Sequence, residues 1–187
     1  MKKTVITFGL ISGAISALIG VGTVPFLDKV GAGSTEILGY TTIILSFLMV
    51  YVGIRSYREN VGNGEIGFGR AFAVGILITL ISCACYVATW ELLYFNVSSV
   101  HAVMDEYSSN MVKQAKASGA SEVEIQAQLQ QIERFKKLYQ NPFYNSAITF
   151  LEPFPVGLVI TLGSAAVLRK RKSLDANYAA QGVPISK

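Results

Sequence analysis

The sequence has little charge. Only 15% of its 187 residues are Asp, Glu, Lys or Arg, against 51% apolar, where a soluble domain carries about 25% charge. The charges are also clumped, and long stretches hold none. That excludes an ordinary soluble domain and points to segments built for lipid. Histidine occurs once and cysteine twice. Cys83 and Cys85 stand two apart in an apolar run, which on a helix turns them to different faces. Neither a disulfide nor a two-thiolate metal site is expected between them, and they read as small packing residues. The lone histidine, His101, follows an apolar run and reads as a solvated interfacial side chain. There is no P-loop, no His-Glu-x-x-His, no C-x-x-C and no nucleophile elbow. Gly62-Asn-Gly64-Glu-Ile-Gly67 spells G-x-G-x-x-G, but that fingerprint needs a strand before it. Here apolar runs stand on both sides, so it reads as an interfacial turn. No catalytic residue, cofactor or metal site is expected, and the chain is not expected to be an enzyme.

What the sequence has is four long apolar runs, at about 4–27, 37–54, 71–97 and 147–168. Each is near or above the 17–25 residues that cross a bilayer. The first is too long for the core of a signal peptide and lacks a small-x-small cleavage site. The fold class expected is all-α: a polytopic membrane protein with four transmembrane helices in a single domain, 1–172, followed by a polar tail, 173–187. A Gly-rich turn at 28–36 and a short polar loop at 55–70 join the first three spans. Lys2, Lys3, Arg55, Arg58, Arg70 and the Arg169–Lys172 cluster fall on one side of this layout. By the positive-inside rule that side is the cytoplasm, so both termini are expected there, in a bacterial inner membrane.

Residues 98–146 form a hydrophilic insert, expected to be an extracytoplasmic helical hairpin. Val100, Val103, Met104, Tyr107 and Met111 recur at helical spacing, and Gly119 is a stop. Ser121-x-x-Glu124 is a capping box, and Ile125, Leu129 and Ile132 continue one stripe. That stripe is expected to pack near Tyr107 and Met111. Asn141-Pro142 closes the hairpin. Its charges balance, which argues against a nucleic-acid surface.

Two sets of residues stand out. Gly9, Gly13 and Ala17 line one helix face; such small residues let helices approach closely in lipid, within the chain or in a dimer, although chance can also produce the spacing. Glu91 and Glu152 lie at corresponding distances from the hairpin end of the third and fourth spans. Carboxylates in lipid face the bundle interior or water. Two at matched depth could share a proton or hold a cation; alternatively they reach headgroup water, beside Trp90 and Tyr94. Pro153 and Pro155 distort the start of the fourth span, as in the broken helices of transporters, although proline near a helix start is also ordinary.

Several strings share a further pattern: Gly53-Ile-Arg-Ser-Tyr-Arg58, Gly67-Phe-Gly-Arg-Ala-Phe72, Trp90-Glu91, Gly119-Ala-Ser121, Asn141-Pro142 and Thr149-Phe-Leu-Glu-Pro-Phe-Pro-Val-Gly157. Together they resemble the bacterial membrane family known as domain of unknown function 4199, typical of Bacteroidota, over about residues 1–172. The resemblance implies an inner-membrane protein of four spans and no defined activity. The function expected is non-enzymatic, a scaffold or small subunit of an envelope complex. The alternative is an ion- or proton-coupled transporter, or its accessory, using Glu91 and Glu152. The partners expected are the lipid bilayer and a membrane protein or a second copy of the chain.

Overall fold

The helices run past the apolar stretches that hydropathy marks. In the computed structural model, which describes residues 1–24 and 32–170, seven helices follow one another. They are α1 (Lys2–Thr23), α2 (Ala32–Asn60), α3 (Phe68–Asn96), α4 (Ser98–Ala117), α5 (Glu122–Tyr139), α6 (Pro142–Leu151) and α7 (Pro153–Leu168). Four segments are long and apolar enough to cross a membrane: α1, most of α2, α3, and α6 with α7. The 29 residues of α3 would extend about 44 Å at 1.5 Å per residue. A hydrocarbon core is about 30 Å thick, so this helix tilts or projects beyond it.

Several expected boundaries are corrected. The Gly-rich turn at 28–36 is helical from Ala32 onward. The polar loop at 55–70 shrinks to residues 61–67, because α2 carries Arg55, Arg58 and Glu59 as helix. Charge marks the edge of lipid; it does not stop a helix whose backbone bonds are already paired. Residues 142–146 belong to the fourth span's first helix and not to the insert. The turn residues 28–31, the tail at 173–187 and the side chains of His101, Val103, Met104 and Tyr107 lie outside the description.

The ends of the helices follow local chemistry. At α5 the capping box forms as expected: Ser121 Oγ accepts from the Glu124 amide, and the Glu124 carboxylate accepts from the Ser121 amide. Gly119 supplies the left-handed turn before it, at φ +81°. Asn141 caps α6 through its side-chain oxygen, which accepts from the Phe143 amide, and Pro142 takes the first helical position, where a missing N–H costs nothing.

In the bundle, α2 and α3 pack together with α1 on both of them and α7 on both of them. In lipid there is no hydrophobic gain between helices, so close packing and polar contacts hold them. The buried interior is layered. Val50, Ile54, Ala71, Val74, Ala165 and Leu168 fill the end that carries Lys2, Lys3, Arg55, Arg58, Arg70, Arg169 and Lys170, called here the basic end. A layer of hydroxyls crosses the middle. Aromatic and acidic side chains occupy the opposite, hairpin end. The hairpin's expected stripe is only partly covered, with Ile125 and Ile132 half-buried and Leu129 exposed.

Candidate functional site

The residues at which chemistry is conceivable lie in the middle and hairpin-end layers. In the middle, Ser12 Oγ donates to the Ser46 carbonyl at 2.7 Å and lies 2.7 Å from Ser82 Oγ. Ser16 Oγ donates to Ser46 Oγ at 2.7 Å, and Ser46 Oγ in turn donates to the Thr42 carbonyl. On the other side of α3, Thr79 and Thr161 hydroxyls meet at 2.9 Å. One proton order satisfies every serine: Ser82 to Ser12 to a carbonyl, and Ser16 to Ser46 to a carbonyl. Each hydroxyl therefore has a partner, as buried polar groups require. A crevice lined by Ser16, Ser46, Ser82, Cys83, Tyr86 and Pro153 opens beside this layer, but it is too narrow for a water molecule.

The small residues of α1 lie against this same seam. A Cβ on Gly9 would come 2.8 Å from Ile81, and one on Gly13 would collide with Cys85. Both glycines are buried, and Ala17 is half-buried. The face of Gly9 and Gly13 is thus filled from within the chain by α3. The two cysteines are free and diverge, with Cys83 in the core and Cys85 over Gly13.

The carboxylates find different partners. Ser146 Oγ donates to Glu91 at 2.9 Å, and Tyr86 donates to Glu152 at 3.2 Å. These bonds set the register of two antiparallel segments: Glu91 stands level with Ser146, and Tyr86 with Glu152. Ser146 and Glu152 are six residues apart, about 9 Å of helix. The matched depth expected for Glu91 and Glu152 is therefore corrected, and with it the motive for a shared proton. Counting residues from hydropathy edges sets the two level, whereas the bonded register places Glu152 nearer the middle layer than Glu91. Glu152 is exposed and Glu91 half-buried. Glu152 is also the joint of the fourth span, ending α6 and preceding Pro153, with Pro155 two residues on. The two prolines deny amide donors to carbonyls one turn earlier.

Next to these acids is a network that sequence reasoning missed. Trp90 Nε1 donates to the Tyr139 hydroxyl at 3.0 Å, and that hydroxyl lies 3.2 Å from Thr149 Oγ1. Thr149 donates to Asn145 Oδ1, and Asn145 Nδ2 donates to the Tyr139 carbonyl. Asn145 is fully buried. Tyr94 meets the Tyr139 ring edge-on at 5.3 Å, and Phe135 stacks on it at 5.2 Å. The end of α5, the start of α6 and the end of α3 are clasped here. The only available signal was Asn145 and Thr149 at i,i+4 in a span, a pair of polar groups that must be satisfied in lipid.

Among the described residues, no three His, Cys, Asp or Glu side chains come together as a metal site would require. A family model for proteins of unknown function, DUF4199, matches residues 7–170. The chain belongs to the DUF4199 family. Neither the curated proteins nor the solved structures gave a match. For this DUF4199 member, membership agrees with the resemblance carried by the Thr149–Gly157 string, in which the joint at Glu152 falls.

Proposed function

We propose that this protein is a non-enzymatic integral protein of a bacterial inner membrane, serving as a scaffold or small subunit of an envelope complex. The observation that carries the reading is the self-bonded middle layer among the described residues. The hydroxyls of the middle layer bond to one another and to backbone carbonyls, and the crevice beside them cannot admit water. A path for a solute or ion needs polar groups turned toward water, whereas these are spent on holding helices together. In support of an extracytoplasmic hairpin and cytoplasmic termini stand the seven Lys and Arg residues at the basic end, set by the positive-inside rule. Partners are a membrane protein or another copy of this chain, and no nucleic acid. Affinity purification in mild detergent with mass spectrometry tests the reading. Stoichiometric recovery of envelope proteins supports it, and recovery of the chain only as a monomer from crosslinked membranes counts against it. For the orientation, a membrane-impermeant thiol reagent should modify a cysteine at position 120 in intact cells and one at position 62 only after lysis.

A second reading is an ion- or proton-coupled transporter or its accessory. It draws on Glu152, exposed at a proline-broken joint and bonded to Tyr86. Proton flux in proteoliposomes that disappears on Glu152→Gln would favour it over the scaffold.

A further inference from the structure

The basic end holds an arginine that the packing leaves under-satisfied. Arg58 lies near the end of α2, level with the last residue of α7. Its Nη1 donates to the Leu168 carbonyl at 3.4 Å, and its Nη2 to Glu59 Oε1 at 3.4 Å. Both are at the long limit of a hydrogen bond. Its Nε is buried without a hydrogen-bond partner among the described residues. A guanidinium carries five donors, and 22% of this side chain stays exposed. The Leu168 carbonyl is one of the unpaired carbonyls of a helix C-terminus, so it anchors one edge of the fork; Nε is enclosed, and the exposed fifth of the side chain is what a ligand can reach.

The surroundings select what that fork meets. Arg55, one turn back on α2, shares Glu59 Oε1 at 2.9 Å, so one carboxylate faces two guanidinium groups. The loop 61–67 is tied to the end of α7 by a pair of bonds between Ile66 and Lys170, both 3.0 Å. This fixes Lys170 two residues beyond the carbonyl that holds Arg58. Among the described residues, Glu59 and Glu65 are the acids at this end, against seven basic residues. Exposed apolar side chains stand at the same level: Val61, Phe68 and Val167 at 51%, 40% and 74%. A fixed guanidinium fork with an excess of positive charge, at the height where apolar surface ends, fits a phosphate that carries acyl chains.

We propose that Arg58, supported by Arg55 and Lys170, binds the phosphate of an anionic phospholipid at the basic end of the bundle. The site depends on the charge and on the anchored fork, and it holds whichever leaflet the basic end faces. The test is native mass spectrometry of the full-length protein from detergent, with phosphatidylglycerol or phosphatidylcholine of identical acyl chains added. The protein should retain phosphatidylglycerol at least about fivefold over phosphatidylcholine. Arg58→Gln should abolish the preference. Arg58→Lys, which keeps the charge but not the fork, should lose most of it, and it serves alone if the Gln variant does not fold. A double Lys2→Gln, Lys3→Gln variant should keep it. Equal binding of both lipids overturns the proposal, as does a preference that survives Arg58→Lys. Loss of preference in the Lys2, Lys3 variant also overturns it, by reducing the site to a diffuse field. If inorganic phosphate raises the melting temperature as much as phosphatidylglycerol does, the ligand is not a lipid and the proposal fails.

Discussion

At Gly13 the backbone of α1 passes so close to Cys85 that no Cβ fits. Gly13→Ala should therefore lower stability by about 1–3 kcal/mol, the usual cost of overpacking, as read by thermal unfolding in detergent. Gly163→Ala provides the contrast. No heavy atom lies within 4 Å of where its Cβ would stand, and alanine is the better helix former by up to about 1 kcal/mol, so that variant should be neutral or slightly stabilised. A drop of similar size in both would mean that the α1–α3 seam is no tighter than the lipid-facing surface. The same comparison shows what a sequence can tell. The spacing of Gly9 and Gly13 marks a close contact, yet it reads alike for a partner inside or outside the chain. Only the position of Ile81 and Cys85 decides, because that depends on the rotation of α3 about its axis, which hydropathy does not encode.

Among the elements, the hairpin carries two tests. The Ser121 amide, and after it the Ser121 hydroxyl, hold the Glu124 carboxyl below its ordinary value near 4.5. Since the folded value is depressed, the capping box contributes fully above the unfolded value and is lost as pH falls through the folded one. The protection of the amides in the first turn of α5, exchange taken relative to its intrinsic rate at each pH, should fall below about pH 4.5, and this loss should be absent in Glu124→Gln. Protection that stays constant across this range in the native protein would mean the box is not formed. At the other end of α5, Trp90 is the only tryptophan and donates to Tyr139. Tyr139→Phe should shift its fluorescence and speed proteolysis near 118–121, with a stability loss of about 1–3 kcal/mol for the orphaned Trp90 donor. Unchanged fluorescence would argue that the clasp is absent. The hairpin was legible from its capping box, its glycine stop and its Asn-Pro close, all of them local signals. The clasp was not, because its members come from three helices and each alone looks like an ordinary interfacial aromatic or a stray polar residue.

For the molecule as a whole, the register between α3 and the fourth span is the decisive quantity. Cysteines at 91 and 146 should crosslink, and those at 91 and 152 should not. A 91–152 bond forming as readily would restore the matched depth that the structure corrects. The four spans themselves were plain from composition, since lipid demands about twenty apolar residues and the chain supplies them four times. The depth of any one residue was less plain. A hydropathy edge is uncertain by several residues, and five residues already displace Glu152 by about 7.5 Å.

The pairing of Thr79 with Thr161 spans 82 residues of chain, and that separation has a consequence in time. A ribosome adds roughly 5–20 residues per second, so α3 enters the bilayer some 4–16 s before its mate is made. During that interval the Gly75–Thr79 flank of α3 faces lipid or a passing helix of some other nascent protein. Its hydroxyl can wait by bonding back to its own helix, whereas the groove cut by Gly75 cannot close itself. Among the described helices, α7 is therefore the one that ends this flank's exposure to wrong partners, and a chain stalled within the hairpin would leave that groove open.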